Sequence, residues 1–138
     1  MTGYKYRLFV MMPLLASLGA CSSLPAPSCA AGQQPSVQEL LYFGTDKPEG
    51  SVSVEEWEQF LDDTFTQGFP EGSTVWEASG KWRSAVGEVI DEPSYVLNLV
   101  HAESAAAENS IQEFISTYKV RFQQEAVLRV TSEVCISF

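Results

Sequence analysis

The chain has 138 residues, 45% of them hydrophobic, and carries 18 acidic against eight basic side chains for a formal net charge of −10. That length fits one domain around a single buried core, and the apolar content excludes an intrinsically disordered chain. The acidity argues against nucleic acid, whose phosphates need a basic patch, and against electrostatic docking on anionic lipid headgroups.

Lys5 and Arg7 stand ahead of a 13-residue apolar run, Leu8–Ala20, that ends at Cys21. A positive start, a short apolar stretch and small residues before the break make a secretory signal. The run is too short for a permanent span, which needs about 20 apolar residues. Leu18-Gly19-Ala20-Cys21 resembles a bacterial lipobox. Cleavage before Cys21 frees a thiol to take a diacylglyceryl group, so acyl chains such as palmitate attach the protein to the membrane. Each buried CH₂ then contributes about 0.8 kcal/mol. The alternative is an ordinary secretory signal whose cleavage falls near a cysteine. The expected organisation is a signal peptide over 1–20, a lipidated tether over 21–36 and a single domain over 37–138. Loss of Lys5 and Arg7 leaves six basic against 18 acidic side chains, a balance of −12.

Acylation of Cys21 leaves Cys29 and Cys135 as a pair. Thiols of an exported chain meet an oxidising compartment and tend to close, which makes Cys29–Cys135 the candidate disulfide. The alternative is a free Cys29 in the tether and a free, buried Cys135 on a strand. Ser, Pro, Ala and Gly dominate residues 22–36, the composition of a spacer.

Val37–Gly44 reads as a first strand, aromatic and aliphatic with a glycine at its end. Thr45–Val52 is a turn-rich loop holding Pro48 and Gly50. Ser53 and Glu56 form a capping box for a helix whose Trp57, Phe60, Leu61, Thr64 and Phe65 share one face. Gly68 ends that helix, and residues 69–72 form a link. Ser73–Arg83 is a second strand in which Gly80 suggests a bulge or bend. Ser84–Gly87 is a hairpin connection and Glu88–His101 a third strand, whose first half Pro93 confines to an edge or a bulge. Ser104 caps a second helix with Ala107, Ile111, Phe114, Ile115, Tyr118 and Phe122 on one face. A fourth strand starts over Ala126–Val130, and Cys135–Phe138 closes the chain. With right-handed crossovers this βαββαβ order predicts a ferredoxin-like α+β fold, a four-stranded antiparallel sheet with both helices on one face.

The other face of such a sheet needs an occupant. Strand parity places Tyr95, Leu97 and Leu99 together and Leu128 with Val130, and these apolar sets are expected under the helices. The open face then shows Val96, Asn98, Val100, Val127 and Arg129, joined by Tyr42 and Trp76. That mixture is too apolar for plain exposure and marks an interaction surface. A sheet-to-sheet homodimer, a ligand cleft, and cover by loops or the tether are the three readings.

His101 is the single histidine, and as a strand-end residue it reads as a surface or capping group before it reads as a catalyst. HxxxH, CxxC and DxD patterns are absent from the sequence, so neither a metal nor another cofactor is expected. There is no GxSxG elbow. Lys81, Trp82 and Arg83 concentrate cations beside an aromatic, with Lys81 and Arg83 on one face and Trp82 on the other. They read as an anion site near the hairpin or as a salt-bridged strand end. Asp62 and Asp63 look solvated, and Asp91 with Glu92 precedes Pro93 in a turn or bulge.

Several segments together resemble a known family: Leu41-Tyr42-Phe43-Gly44, Glu56-Trp57 with Phe60-Leu61, Phe69-Pro70-Glu71-Gly72, Gly80-Lys81-Trp82-Arg83, Glu92 with Ser94, Tyr118 with Arg121-Phe122, and Gln124 through Arg129. The chain is similar over about residues 37–138 to a domain-of-unknown-function family of short bacterial proteins, often secreted or lipid-anchored. The resemblance implies the domain limits and the anchor. It implies no reaction and no catalytic residues. By resemblance to lipoproteins of enteric type, Ser22 in place of an aspartate after Cys21 implies the periplasmic face of the outer membrane.

The sequence therefore leads to a lipid-anchored envelope protein acting as a binding or assembly module. Its binding-surface candidates are Tyr42, Trp76, Lys81, Arg83, Asn98, His101 and Arg129. The rival is a small envelope enzyme with a cleft on the open face, using Tyr42, Arg83, His101 and Arg129. The small-molecule ligand is unknown at this stage.

Overall fold

The structure, a computed structural model, describes residues 28–69 and 72–138. The expected signal peptide and the expected lipidation residue Cys21 lie outside the described residues. The elements run β1 (Gln34–Gly44), β2 (Asp46–Lys47), β3 (Gly50–Ser51), α1 (Val54–Gly68), β4 (Ser73–Arg83), β5 (Val89–His101), α2 (Ala105–Phe122) and β6 (Leu128–Ile136). Four strands form one antiparallel sheet in the order β4-β5-β1-β6, and β2 with β3 makes a separate two-stranded hairpin. The fold is α+β.

Local chemistry explains the helix ends. The Ser53 side chain accepts from the Glu56 N–H at 3.2 Å and the Glu56 carboxylate accepts from the Ser53 N–H at 2.9 Å, the reciprocal pair expected from Ser-x-x-Glu. Ser104 caps α2 by accepting from the Ala107 N–H at 3.1 Å. The α2 end turns at Gln123, which adopts the left-handed conformation at φ 56°.

Alternation in β1 sends Glu39, Leu41 and Phe43 to the helix side, and all three are fully buried. In β5 the same side carries Tyr95, Leu97 and Leu99. Trp57 and Phe60 from α1, and Ile111, Phe114, Tyr118 and Phe122 from α2, complete the core against them. Aromatic rings dominate it. Trp57 stacks on Tyr95 with centroids 4.6 Å apart, and Phe43 meets Trp57 at 5.1 Å and Tyr118 edge-on at 4.7 Å.

Four details differ from the sequence reading. β1 begins at Gln34, so the last residues of the expected tether are strand, paired Gln34↔Ile136 with β6. The 45–52 loop contains the β2–β3 hairpin. Gly80 makes no bulge, because the β4–β5 register runs unbroken from Ser73↔Leu99 to Arg83↔Val89. The faces of β6 are exchanged. Leu41 pairs with Arg129 and Tyr42 with Leu128, so Val127 and Arg129 lie on the helix side, while Leu128 (60% exposed) and Val130 (40% exposed) lie on the open face. Hydrophobic alternation alone puts the apolar set inside, but the buried Glu39 requires a cation there, and Arg129 supplies it. Of the Pro93 reading the edge half holds, since Val89–Pro93 pairs with β4 alone and β1 joins β5 from Ser94 onward; Asp91 and Glu92, expected in a turn or bulge, lie instead in the regular β4–β5 ladder.

Cys29 and Cys135 are disulfide-bonded with Cα atoms 5.6 Å apart. The bond fastens the segment ahead of β1 to β6 across a sequence separation of 106 residues. Reduction should lower the stability measured by denaturant unfolding by about 2–4 kcal/mol, because it restores the freedom of a long loop in the unfolded chain. An unchanged midpoint in reductant would show that the closed loop contributes nothing.

Candidate functional site: a cleft on the open sheet face

β1 stops at Gly44, while β4 and β5 continue beyond it as a two-stranded hairpin. This hairpin, the β2–β3 turn and residues 123–126 enclose a cleft of about 550 Å³ on the face the helices leave open. Tyr42, Ser94 and Leu128 come from the sheet floor, and Gly80, Trp82, Ile90 and Glu92 from the hairpin. Strand parity puts these residues on one face, with ladder pairs Tyr42↔Leu128, Gly44↔Ser94, Gly80↔Glu92 and Trp82↔Ile90.

Glu92 is the buried carboxylate of the cleft, 7% exposed. Its Oε1 accepts from the Asp46 N–H at 2.7 Å. The carboxyl lies across β1 at Gly44, where an added Cβ would stand 2.5 Å from Oε1. Gly44 is fixed from the other side, its carbonyl accepting from the Tyr118 hydroxyl at 2.8 Å. Burial pushes the Tyr118 hydroxyl well above the usual phenol range, with the charge of Glu92 adding to it, so Tyr118 stays a neutral donor. The lysines beside the cleft are paired. Lys47 holds both Glu56 oxygens, at 2.6 and 2.7 Å, and Lys81 holds Asp91.

A second polar cluster sits on the opposite, helix-covered face. Arg129 grips Glu39 with Nε–Oε2 at 2.9 Å and Nη2–Oε1 at 2.6 Å, and Thr131 donates to Oε2 at 2.8 Å. Arg129 also reaches Glu108 at 2.7 and 2.9 Å. Burial alone would push the Glu39 carboxyl up, but the hydrogen bonds from Arg129 and Thr131 outweigh it and hold the group below the usual carboxylate range. The Arg129 hydrogen bonds hold the Glu108 carboxyl down at about 2, and the two carboxylates push Arg129 further up. His101 is 8% exposed beside this cluster; its Nδ1 lies 2.8 Å from the Ala102 carbonyl and its Nε2 3.8 Å from Glu39.

The structure thus separates the sequence candidates. Tyr42 and Lys81 line the cleft. Trp76 and Asn98 share its face but lie further along the sheet, where Asn98 accepts from the Gln38 amide at 2.9 Å. Arg83 donates to the Gly87 carbonyl at 2.7 Å at the hairpin tip, and the Lys81–Asp91 pair fits the salt-bridged strand end rather than an anion site. His101 and Arg129 belong to the helix side; His101 is buried, where the sequence suggests a surface or capping residue. Sequence reasoning gives Glu92 no role and misses Ile90 and Leu128. The signal that finds Glu92 and Leu128 is the set of resemblance segments, of which Tyr42, Gly44, Gly80, Trp82, Glu92, Ser94 and Leu128 all reach the cleft; Ile90 lies outside those segments.

These features define an α+β protein with a helix-backed antiparallel sheet and a cleft on its open face. Residues 38–138 match the family described as "Protein of unknown function (DUF3574)", and the chain belongs to that family. No curated protein matches it. Among solved structures it is similar to a phage SAM lyase in complex with S-methyl-5′-thioadenosine, at 15% identity and TM-score 0.58, covering 84% of this chain and 97% of that one. The same description applies to a phage SAM lyase in the apo state, at 14% identity and TM-score 0.55, with 83% and 97% covered. A putative PII-like signaling protein from Thermus thermophilus follows at 14% identity and TM-score 0.46, with 76% and 92% covered. At these identities the likeness is one of fold. Among the described residues no helix is long and apolar enough to cross a membrane.

Arg129→Met should cost about 3–5 kcal/mol in denaturant unfolding, because it strands a buried charge on Glu39. The depressed Glu39 value means its contribution is complete above the ordinary carboxylate range and fades as pH falls below about 4. Glu39→Gln should therefore flatten the acid limb of the stability–pH curve; an acid limb identical to the parent's would remove Glu39 from the account.

Proposed function

We propose that the protein is a lipid-anchored cell-envelope binding module that takes a small organic molecule in the open-face cleft. The observation that carries this reading is the cleft itself, apolar at Trp82, Ile90 and Leu128 with polar groups set among them. Its volume of about 550 Å³ lies inside the range of roughly 300–1,000 Å³ of ligand pockets. The finer reading of the fold as ferredoxin-like belongs to the same proposal. It is supported by the βαββαβ order of the long elements and the sheet order β4-β5-β1-β6, with the β2–β3 hairpin as an addition.

The enzyme reading loses support from placement. Of its four candidates Tyr42 alone lines the cleft, while His101 and Arg129 lie across the sheet and Arg83 is bound to its own hairpin turn. Self-association has one observation in its favour: Trp76 (43% exposed), Leu128 and Val130 are apolar residues standing on the open face.

Thermal melting of the full protein in detergent against a small-molecule panel tests the cleft. The panel includes S-methyl-5′-thioadenosine, the compound named with the fold-related phage enzyme. At a concentration of about 100 times Kd a ligand adds about 2.7 kcal/mol of stability, and Trp82→Ala should abolish the shift. A protein indifferent to the panel, sedimenting as a dimer that Trp76→Asp dissociates, would replace the cleft reading with an assembly face.

Lipid attachment at Cys21, and with it the outer-membrane location, is supported by the Leu18–Cys21 motif and Ser22. Cys21→Ser should abolish acylation seen by mass spectrometry and move the protein out of the membrane fraction. An unmodified Cys21 in the parent protein would overturn the anchor.

A further inference from the structure

We infer that the cleft is built for an organic cation, with Glu92 as its counter-charge and Trp82 as the flat wall beside it. This rests on the cleft-binding reading and adds the chemical class of the ligand.

The protein contains an internal standard for what a buried carboxylate needs. Glu39 is fully buried, and each of its oxygens meets a donor, from Arg129 or Thr131. Glu92 is more than nine-tenths buried, yet among the described residues it accepts one hydrogen bond, on Oε1 from the Asp46 N–H, and forms no ion pair. Its Oε2 meets no donor among the described residues, so the carboxylate keeps the capacity to accept from a cation. The cleft lysines do not supply one, since Lys47 and Lys81 already hold Glu56 and Asp91.

The surroundings keep the carboxylate open to the cleft. Its cross-strand partner on β4 is Gly80, and its carboxyl lies over Gly44 on β1, so neither of these two facing positions carries a side chain over it. Trp82 is the diagonal neighbour of Glu92 on the same face, since it pairs with Ile90. Such diagonal positions lie about 7–8 Å apart, which leaves room for one ammonium-type group touching both carboxylate and ring. A cation over an indole face is attracted by the ring quadrupole. The net charge of −10 draws cations and repels anionic ligands.

The test uses the full protein in detergent with two probes of equal size, 2-phenylethylamine and 2-phenylethanol. Binding is followed by calorimetry and by the Trp82 indole N–H resonance. The amine should bind about tenfold or more tightly than the alcohol, the worth of one charge-assisted contact. Glu92→Gln keeps an acceptor for the Asp46 N–H and should erase the preference for the amine. Gly44→Ala should do the same, because its Cβ would stand 2.5 Å from Oε1 and displace the carboxylate; it is the second variant should the first fold poorly. Equal binding of the two probes, binding of neither, or a preference surviving in both variants overturns the cation site. The broader cleft reading falls only when the panel also fails to shift the melting point.

Discussion

A single buried ion pair holds the sheet in register. Glu39 sits on the helix side of β1 with no exposure, and Arg129 reaches it from β6 with two hydrogen bonds. A slip of one residue in the β1–β6 ladder would turn Arg129 to the open face and strand a charge in the core. The pair therefore decides which way every side chain of β6 points. Leu128 and Val130 reach the open face because Arg129 must not, and Leu128 becomes part of the cleft. A stabilising interaction on one side of the sheet thus shapes the cleft on the other.

The aromatic core fixes the sheet end in the same indirect way. Tyr118 packs edge-on to Phe43 and donates its hydroxyl to the Gly44 carbonyl, the last residue of β1. The end of β1 is where the β4–β5 hairpin runs on alone and the cleft begins. Gly44 then has two neighbours of opposite character, a buried phenol below and the Glu92 carboxylate above. Its missing side chain is required on the cleft side, where any Cβ collides with that carboxylate.

Much of this is legible in the sequence where local chemistry is decisive. The Ser53–Glu56 capping box, the Ser104 cap, the helical faces, the ends of β4 and the one-sided start of β5 at Pro93 follow from side-chain type and spacing. The disulfide follows from the cysteine count together with the expectation of an exported chain. The faces of β6 do not follow, because hydrophobic alternation assumes that apolar residues go inside, and Glu39 overrides it from a strand ninety positions away. Gly80 suggests a bulge because a glycine in a strand signals either a bend or a close approach; here it stands opposite the carboxylate-bearing Glu92. The cleft cannot be read locally, as it assembles from five strands and three connecting segments.

The Cys29–Cys135 bond also measures out a leash. An acyl chain on Cys21, as proposed, would connect to the domain through the seven residues that lie between it and Cys29, eight Cα-to-Cα steps. Fully extended, such a segment reaches about 26–29 Å. On that proposal the disulfide would hold the Gln34 end of β1 and the Ile136 end of β6 close to the lipid surface. The cleft opens at the other end of β1, ten residues on from Gln34, a distance of about 33 Å along a strand. The bond that stabilises the fold would then also set its orientation, turning the mouth of the cleft away from the bilayer and into the aqueous space.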